Sequence, residues 1–268
     1  MLPGPIRSFL RHRSLIWQLA RRDVVGRYRG SALGLVWSLV QPLLMLAVYT
    51  YVFGVVLQVR WDDRLPDQGE VAFAVILFSG LIVHALFAEC FTRAPTLVLE
   101  NANFVKKVIF PLEILPFTTM LSALFHASAS MVVLLAAHLV LDRELAWTAL
   151  LLPVVLAPLL ILTIGIGWLL SSLGVFLRDV GQVTSVLSTV LLFVSPIFFP
   201  VERLPETMRA FVYLNPLSLI VDQVREVVLF GRLPDWQALG LYTLVALLVA
   251  QLGYWWFQRT RRGFADAL

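Results

Sequence analysis

The chain has 268 residues, of which 59% are hydrophobic and 14% charged, against about 45–50% apolar and about 25% charged in a soluble domain. One globular core of this size cannot hide that excess, so lipid must take up the rest and an all-α polytopic membrane protein is expected. The single cysteine, Cys90, excludes a disulfide framework and a cysteine-rich metal site and reads as a thiol buried in a helix. The net charge of +4 comes from basic residues clustered at the edges of apolar runs. That distribution points to membrane topology and not to nucleic acid.

The first thirty residues are rich in arginine and hold no clean apolar signal core, so the N-terminus is expected to stay in the cytoplasm. From Ser14 to Tyr28 the sequence reads SLIWQLARRDVVGRY. Leu15, Ile16, Leu19, Val24 and Tyr28 can share one helical face, with Arg21, Arg22, Asp23 and Arg27 on others. This is the pattern of an amphipathic helix in the membrane interface, where Trp17 also settles; a solvated basic leader is the alternative. Gly30 to Gly34 forms a GxxxG pattern, which predicts close helix packing.

Six apolar runs follow, each near the roughly 20 residues a crossing needs. They are predicted over residues 33–57, 71–91, 117–141, 150–177, 180–199 and 239–257. Arg7, Arg11, Arg13, Arg21, Arg22, Arg27 and Arg29 precede the first. Arg93, Lys106 and Lys107 follow the second, Arg178 the fourth, and Arg259, Arg261 and Arg262 the sixth. Lysine and arginine favour cytoplasmic loops, so both termini are expected inside, with Asp62, Asp63, Asp67 and Glu70 outside. The predicted layout is residues 1–30 as a cytoplasmic tail and interface helix, then a six-helix transmembrane domain over 31–268. Within it, segment 93–112 is neither polar enough for a free loop nor apolar enough to span. Pro95 can start a short cytoplasmic helix there, with Thr96, Val98, Leu99 and Phe104 giving a docking surface. Segment 200–236 predicts short outer re-entrant helices. Leu217, Ile220, Val221, Val224 and Val228 form its helical stripe, with Asp222, Arg225 and Glu226 off it.

No catalytic centre is visible: the sequence has no phosphate-cradling GK[ST] loop, no HExxH and no GxSxG. His84, His126, His138 and Glu89 are the ionisable groups expected inside the spans. They read as helix–helix hydrogen-bonding groups before they read as a proton relay. In the fifth run Gly181, Ser185, Ser188, Leu192, Ser195 and Phe199 recur at steps of four and three. Such a stripe can line a hydrated path or pack helices closely. Trp37, Tyr49, Tyr51 and Phe53 make the first run aromatic, as a sugar-stacking wall or as interface anchors.

Taken in order, five stretches resemble the type-2 ABC exporter permeases for polysaccharides. They are RRDVVGRYRGSALGLVWSLVQPLLMLAVYTYVFGVV (21–56), ENANFVKKVIFPLEILP (100–116), GVFLRDVGQ (174–182), SPIFFP (195–200) and LNPLSLIVDQVREVVLFG (214–231). The wording of the first two is most like the O-antigen permeases. The resemblance implies a homodimer in the bacterial inner membrane, served by two separate ATP-binding subunits and exporting a lipid-linked polysaccharide. ATP and magnesium would sit on those partners, with no cofactor in this chain. By position, Arg93, Thr96, Leu99, Glu100, Asn103, Phe104, Lys106 and Lys107 would dock the ATPase. Trp17, Arg21, Arg22 and Arg27 would belong to the interface helix. Gln41, Tyr49, Ser185, Ser188 and Ser195 would line a path between protomers. Capsule or teichoic acid export, and, in a different class, an ion-coupled carrier or a membrane transferase, are the competing readings.

Overall fold

A computed structural model describes residues 4–57, 70–105, 110–142 and 145–267. Among the described residues all regular structure is helical. Helix α1 (Gly4–Tyr28) starts ten residues before the amphipathic pattern does, because a bend at His12 joins a second piece to it. A turn leads to α2 (Trp37–Tyr49), which continues as a π-helical segment over Thr50–Val56. Then come α3 (Glu70–Arg93), the short α4 (Leu97–Glu100) and α5 (Ala102–Val105), α6 (Leu115–Asp142) and α7 (Leu152–Phe176). Next are α8 (Val180–Val194), α9 (Glu206–Leu214), α10 (Ser218–Val228), α11 (Trp236–Thr260) and the terminal α12 (Phe264–Ala267).

Among the described residues, five helical stretches are long and apolar enough to cross a bilayer: Gly34–Val56, Phe73–Glu100, Leu112–Leu141, Trp147–Phe176 and Trp236–Gly263. The predicted fifth run of the sequence, 180–199, does not stay helical throughout. Its helix α8 has 15 residues, about 22 Å at 1.5 Å per residue, short of a hydrocarbon core of about 30 Å. The reason is Pro196, which drives the residue before it out of the helical region; Ser195 is extended, at φ −70° and ψ 150°.

Helix α3 is the centre of the bundle, touching α2, α6, α7, α8 and α10. In the Phe73–Glu100 stretch that contains most of it, 72% of the apolar window is buried within the chain, against 11% in the Gly34–Val56 stretch. Around the first half of α3, Phe73, Leu77, Phe78, Ile197, Leu217, Val221 and Val224 form one core. A second core gathers Ile16, Leu115, Phe117, Trp168, Phe257 and Phe264 at the end that holds both termini. Cys90 is buried in that second core.

Small residues set two close approaches. A Cβ on Gly253 of α11 would stand 2.1 Å from the Gly165 carbonyl oxygen of α7, and one on Gly174 would stand 2.0 Å from the Pro95 oxygen. The predicted packing role of Gly30 and Gly34 is corrected: both lie in the turn between α1 and α2 at φ +88° and +51°, with open space around them. They serve the turn, which needs positive φ.

One charged residue placed off the apolar stripe of the outer segment lies in the core. Arg225 is not solvated; it is buried, and it holds the chain break after α8. Its Nη1 donates to the Pro196 oxygen at 2.6 Å and its Nη2 to the Ile197 oxygen at 3.2 Å, while Nε lies 3.4 Å from the Ile76 oxygen of α3. Gly80 leaves room for this guanidinium, since a Cβ there would come within 3.0 Å of Nη2. Asn215 Nδ2 donates to Ser195 Oγ at 2.8 Å, and its Oδ1 accepts from the Leu217 N–H at 2.9 Å. Tyr242 and Thr148 donate to the carbonyls of Pro216 and Val227. Side chains thus supply the partners that irregular backbone lacks at membrane depth.

Overpacking a tight contact costs about 1–3 kcal/mol. Gly253→Ala is therefore expected to lower the melting temperature of the detergent-purified protein. Gly240→Ala, on the same helix with open space, is expected to leave it unchanged; equal effects would remove the α7–α11 contact as the cause.

Candidate coupling site and translocation surface

At the end of the bundle that holds the termini, α1 lies across α6 and buries Ile16, Ala20 and Val24, a spacing of one residue per helical turn. Trp17, Arg21 and Arg22 point outward, Trp17 at 65% exposure. The turn after α3 runs through Ala94, Pro95 and Thr96 into α4. Here Leu97 and Val98 are buried inward, so Val98 does not contribute to a docking face. Leu99 is half-buried, while Glu100 and Asn103 are exposed. Thr96 donates its hydroxyl back to the Arg93 carbonyl. Phe104 belongs to α5; Lys106 and Lys107 lie outside the described residues, as do Asp62, Asp63 and Asp67.

Arg93 is not left free for a partner. Its Nη1 and Nη2 each donate to one Asp23 oxygen at 2.9 Å, forming a two-pronged pair with α1. Glu89 lies one turn back and pairs with Arg27. His126 of α6 closes the group, its Nδ1 3.3 Å from Glu89 Oε2 and 3.2 Å from Arg27 Nη1. Burial alone would raise the Asp23 pKa, but the Arg93 hydrogen bonds and charge hold it below the ordinary 3.8.

The other end of the 93–112 segment is fixed by Glu113. This carboxylate accepts from Arg261, after α11, at 2.8 Å and from Ser8 of α1 at 3.3 Å. Trp168 of α7 donates its indole N–H to the Glu113 carbonyl at 2.9 Å, and Arg261 reaches the Phe110 carbonyl at 2.9 Å. Helix α1 therefore grips the segment at both ends, through Asp23 and through Ser8. Between them a cleft of about 230 Å³ is edged by Arg22, Asp23, Arg93, Glu100 and Asn101. The sequence reading missed Asp23, Glu113 and Arg261 as a group. The only signal for them is single charges placed just beyond apolar runs.

The proposed path residues separate into two sets. Gln41 and Ser185 are exposed and Tyr49 is half-buried. Ser188 and Ser195 are buried. The Ser188 carbonyl lies 3.1 Å from His84 Nε2, and the Ser195 hydroxyl is engaged with Leu191 and Asn215. The α8 stripe thus divides: Ser185 is open while Ser188 and Ser195 face their own bundle, and these two serines are corrected to packing and bonding roles. The opposite face of α8 exposes Val183, Val186, Leu187, Val190 and Phe193, and α2 exposes Leu39, Leu43, Leu44 and Val48. Helices α2 and α8 both pack on α3, and Phe53 and Phe198 bring their far ends to 6.5 Å between ring centroids.

An apolar helical bundle with a polar, doubly clasped segment at one end defines a multi-pass membrane protein. Residues 14–229 match the ABC-2 type transporter family, and the chain belongs to it, as a non-catalytic membrane permease subunit that works with an ATP-binding subunit. It is 25% identical to the O-antigen export system permease protein RfbA of Myxococcus xanthus over 98% of both chains. It is 24% identical to the protein of that name from Klebsiella pneumoniae over 95% of both. The polysialic acid transport protein KpsM of Escherichia coli matches at 24% over 85% of this chain and 87% of its own.

The folded Asp23 pKa is depressed, so its contribution is complete above pH 3.8 and is lost as pH falls through the lower folded value. Asp23→Asn is expected to cost ~1 kcal/mol at pH 7, a modest figure because about a third of each side chain sees solvent. Thermal melts at pH 7 and pH 3 check this: the gap between variant and wild type should be smaller at pH 3 than at pH 7.

Proposed function

We propose that this chain is the permease of a bacterial inner-membrane exporter that moves a lipid-linked polysaccharide of the O-antigen type outward. The observation that carries the cargo class is the end-to-end match to permeases of that printed function, covering 98% of both chains. Two copies form a dimer, and two ATP-binding subunits that carry the nucleotide and magnesium dock beneath it. Both termini are cytoplasmic. The sixth crossing is made by α8 together with the irregular stretch from Ser195 to Pro200, which is extended only at its two ends. The domain layout is an interface helix within residues 1–30 followed by the transmembrane domain over 31–268.

Helices α2 and α8 form the face between protomers, supported by the apolar side chains they leave uncovered. Gln41, Tyr49 and Ser185 are the polar groups on that face suited to a glycan. The ATPase docks on the cleft between α1 and segment 93–112, where Arg22, Glu100 and Asn103 are available, and on Lys106 and Lys107. Because α1 holds both ends of the segment, a push there reaches α6, α7 and α11 together. Export of a capsule-type polysaccharide is the second reading, favoured by the KpsM match over 85% of this chain.

Deleting the gene is expected to trap lipid-linked glycan on the cytoplasmic side; normal surface glycan in the deletion strain rejects the proposal. Reversing both charges, Lys106→Glu with Lys107→Glu, should reduce co-purification of the ATP-binding subunit by about tenfold, as expected when a few charge contacts become repulsive. Unchanged co-purification with normal membrane insertion takes the two lysines out of the interface.

A further inference from the structure

The first half of α1 lies over an apolar groove of about 750 Å³ bounded by α6, α7 and α11. Pro5, Phe9, Phe117 and Trp168 line the end nearer the chain termini, and Ala157 and Leu244 line the far end. No charged side chain lines it, and the Trp168 indole N–H is already donated to Glu113. Along α7, Ala157 and Trp168 are eleven residues apart, or about 16 Å of helix. That is close to half of a hydrocarbon core of about 30 Å, the depth of one leaflet.

Cationic side chains are carried by both α1 and α11, the helices that line the groove towards the chain termini. On α11 the lining residues Leu244, Leu248 and Gln251 continue at helical spacing to Trp255 and Arg259. Both are exposed, and the Arg259 guanidinium carbon stands 5.6 Å from the Trp255 ring centroid. The N-terminal stretch that supplies Pro5 and Phe9 adds exposed Arg7, Arg11 and Arg13, and residues 1–14 contain no acidic side chain. An aromatic ring beside arginines at the end of an apolar slot suits a lipid at its headgroup level. A zwitterionic lipid would match the slot but not the charge.

We infer that this groove is a binding site for one acyl chain of an anionic phospholipid, drawn from the leaflet on the side of the chain termini, with its headgroup held by Arg259 and the arginines of α1. The chain fills the space between α6 and α11 on the flank of α7. The inference does not depend on which polysaccharide is exported.

The test is native mass spectrometry of the full-length protein, relipidated with equal phosphatidylglycerol and phosphatidylethanolamine and then washed. One retained phosphatidylglycerol per chain is expected. Ala157→Phe and Leu248→Trp fill the slot at positions that are exposed in the protein, and each should lower retention about tenfold, the equivalent of roughly two buried methylenes. Arg259→Gln with Arg11→Gln should keep a lipid but reduce the preference for phosphatidylglycerol about fivefold or more. Val140→Trp, at an 80% exposed position outside the groove, should retain lipid as wild type does and so separates filling from misfolding. Equal retention in wild type and filled variants overturns the site. Retention of a polyprenyl lipid in place of phospholipid also overturns it, assigning the groove to an export substrate.

Discussion

A backbone amide or carbonyl inside hydrocarbon finds no water, and this structure is organised around that constraint. Long helices meet it internally. The chain departs from them at Ser195–Ile197 and again at Asn215–Leu217, and at both places buried side chains complete the bonding. Arg225 serves three carbonyls from two separate segments, and Asn215 ties the second break to the first. A buried guanidinium is costly unless its donors are used, and its burial against α3 fixes where α10 can sit. The short helices of the far side are thus an extension of the main core, sharing Leu217, Val221 and Val224 with Phe73 and Phe78 of α3.

The end that holds the termini is built on a different balance. There, partly exposed ion pairs join elements that are distant in sequence: Asp23 with Arg93, Arg27 with Glu89, and Glu113 with Arg261. Each such pair contributes little alone where solvent reaches it. Their value lies in geometry, since α1, the post-α3 turn, α6 and the C-terminal end converge on two carboxylate clusters. A surface tied together in this way can receive force at one point and deliver it to several helices.

Much of this was legible in the sequence. Apolar run length and arginine placement gave five of the long helices to within a few residues, and the Ile16–Val24 spacing gave the buried face of α1. The missing parts share a cause. Gly30 and Gly34 carry a packing pattern but occupy a turn, because a motif of spacing does not encode φ. Ser188 and Ser195 carry a path-lining pattern but face inward, because hydroxyls suit a hydrated channel and a close helix contact equally. Arg225 reads only as a charge off the apolar stripe, because its partners are carbonyls, which leave no trace in side-chain identity. Arg93 reads as available for docking because Asp23 lies 70 residues away.

The turn at Gly30 and Gly34 carries a mechanical consequence. With open space around both glycines, the corner where α1 gives way to α2 is held by one short side chain, Ser31, whose Oγ donates to the Tyr28 carbonyl and accepts from the Gly34 N–H. The angle between those helices is set by that turn and by α6, on which both of them pack. Helices α1 and α2 are consequently carried on one common support, α6, with α3 holding the other side of α2. Displacing α1 along the membrane plane therefore reaches α2 by two routes at once, through the turn and through α6.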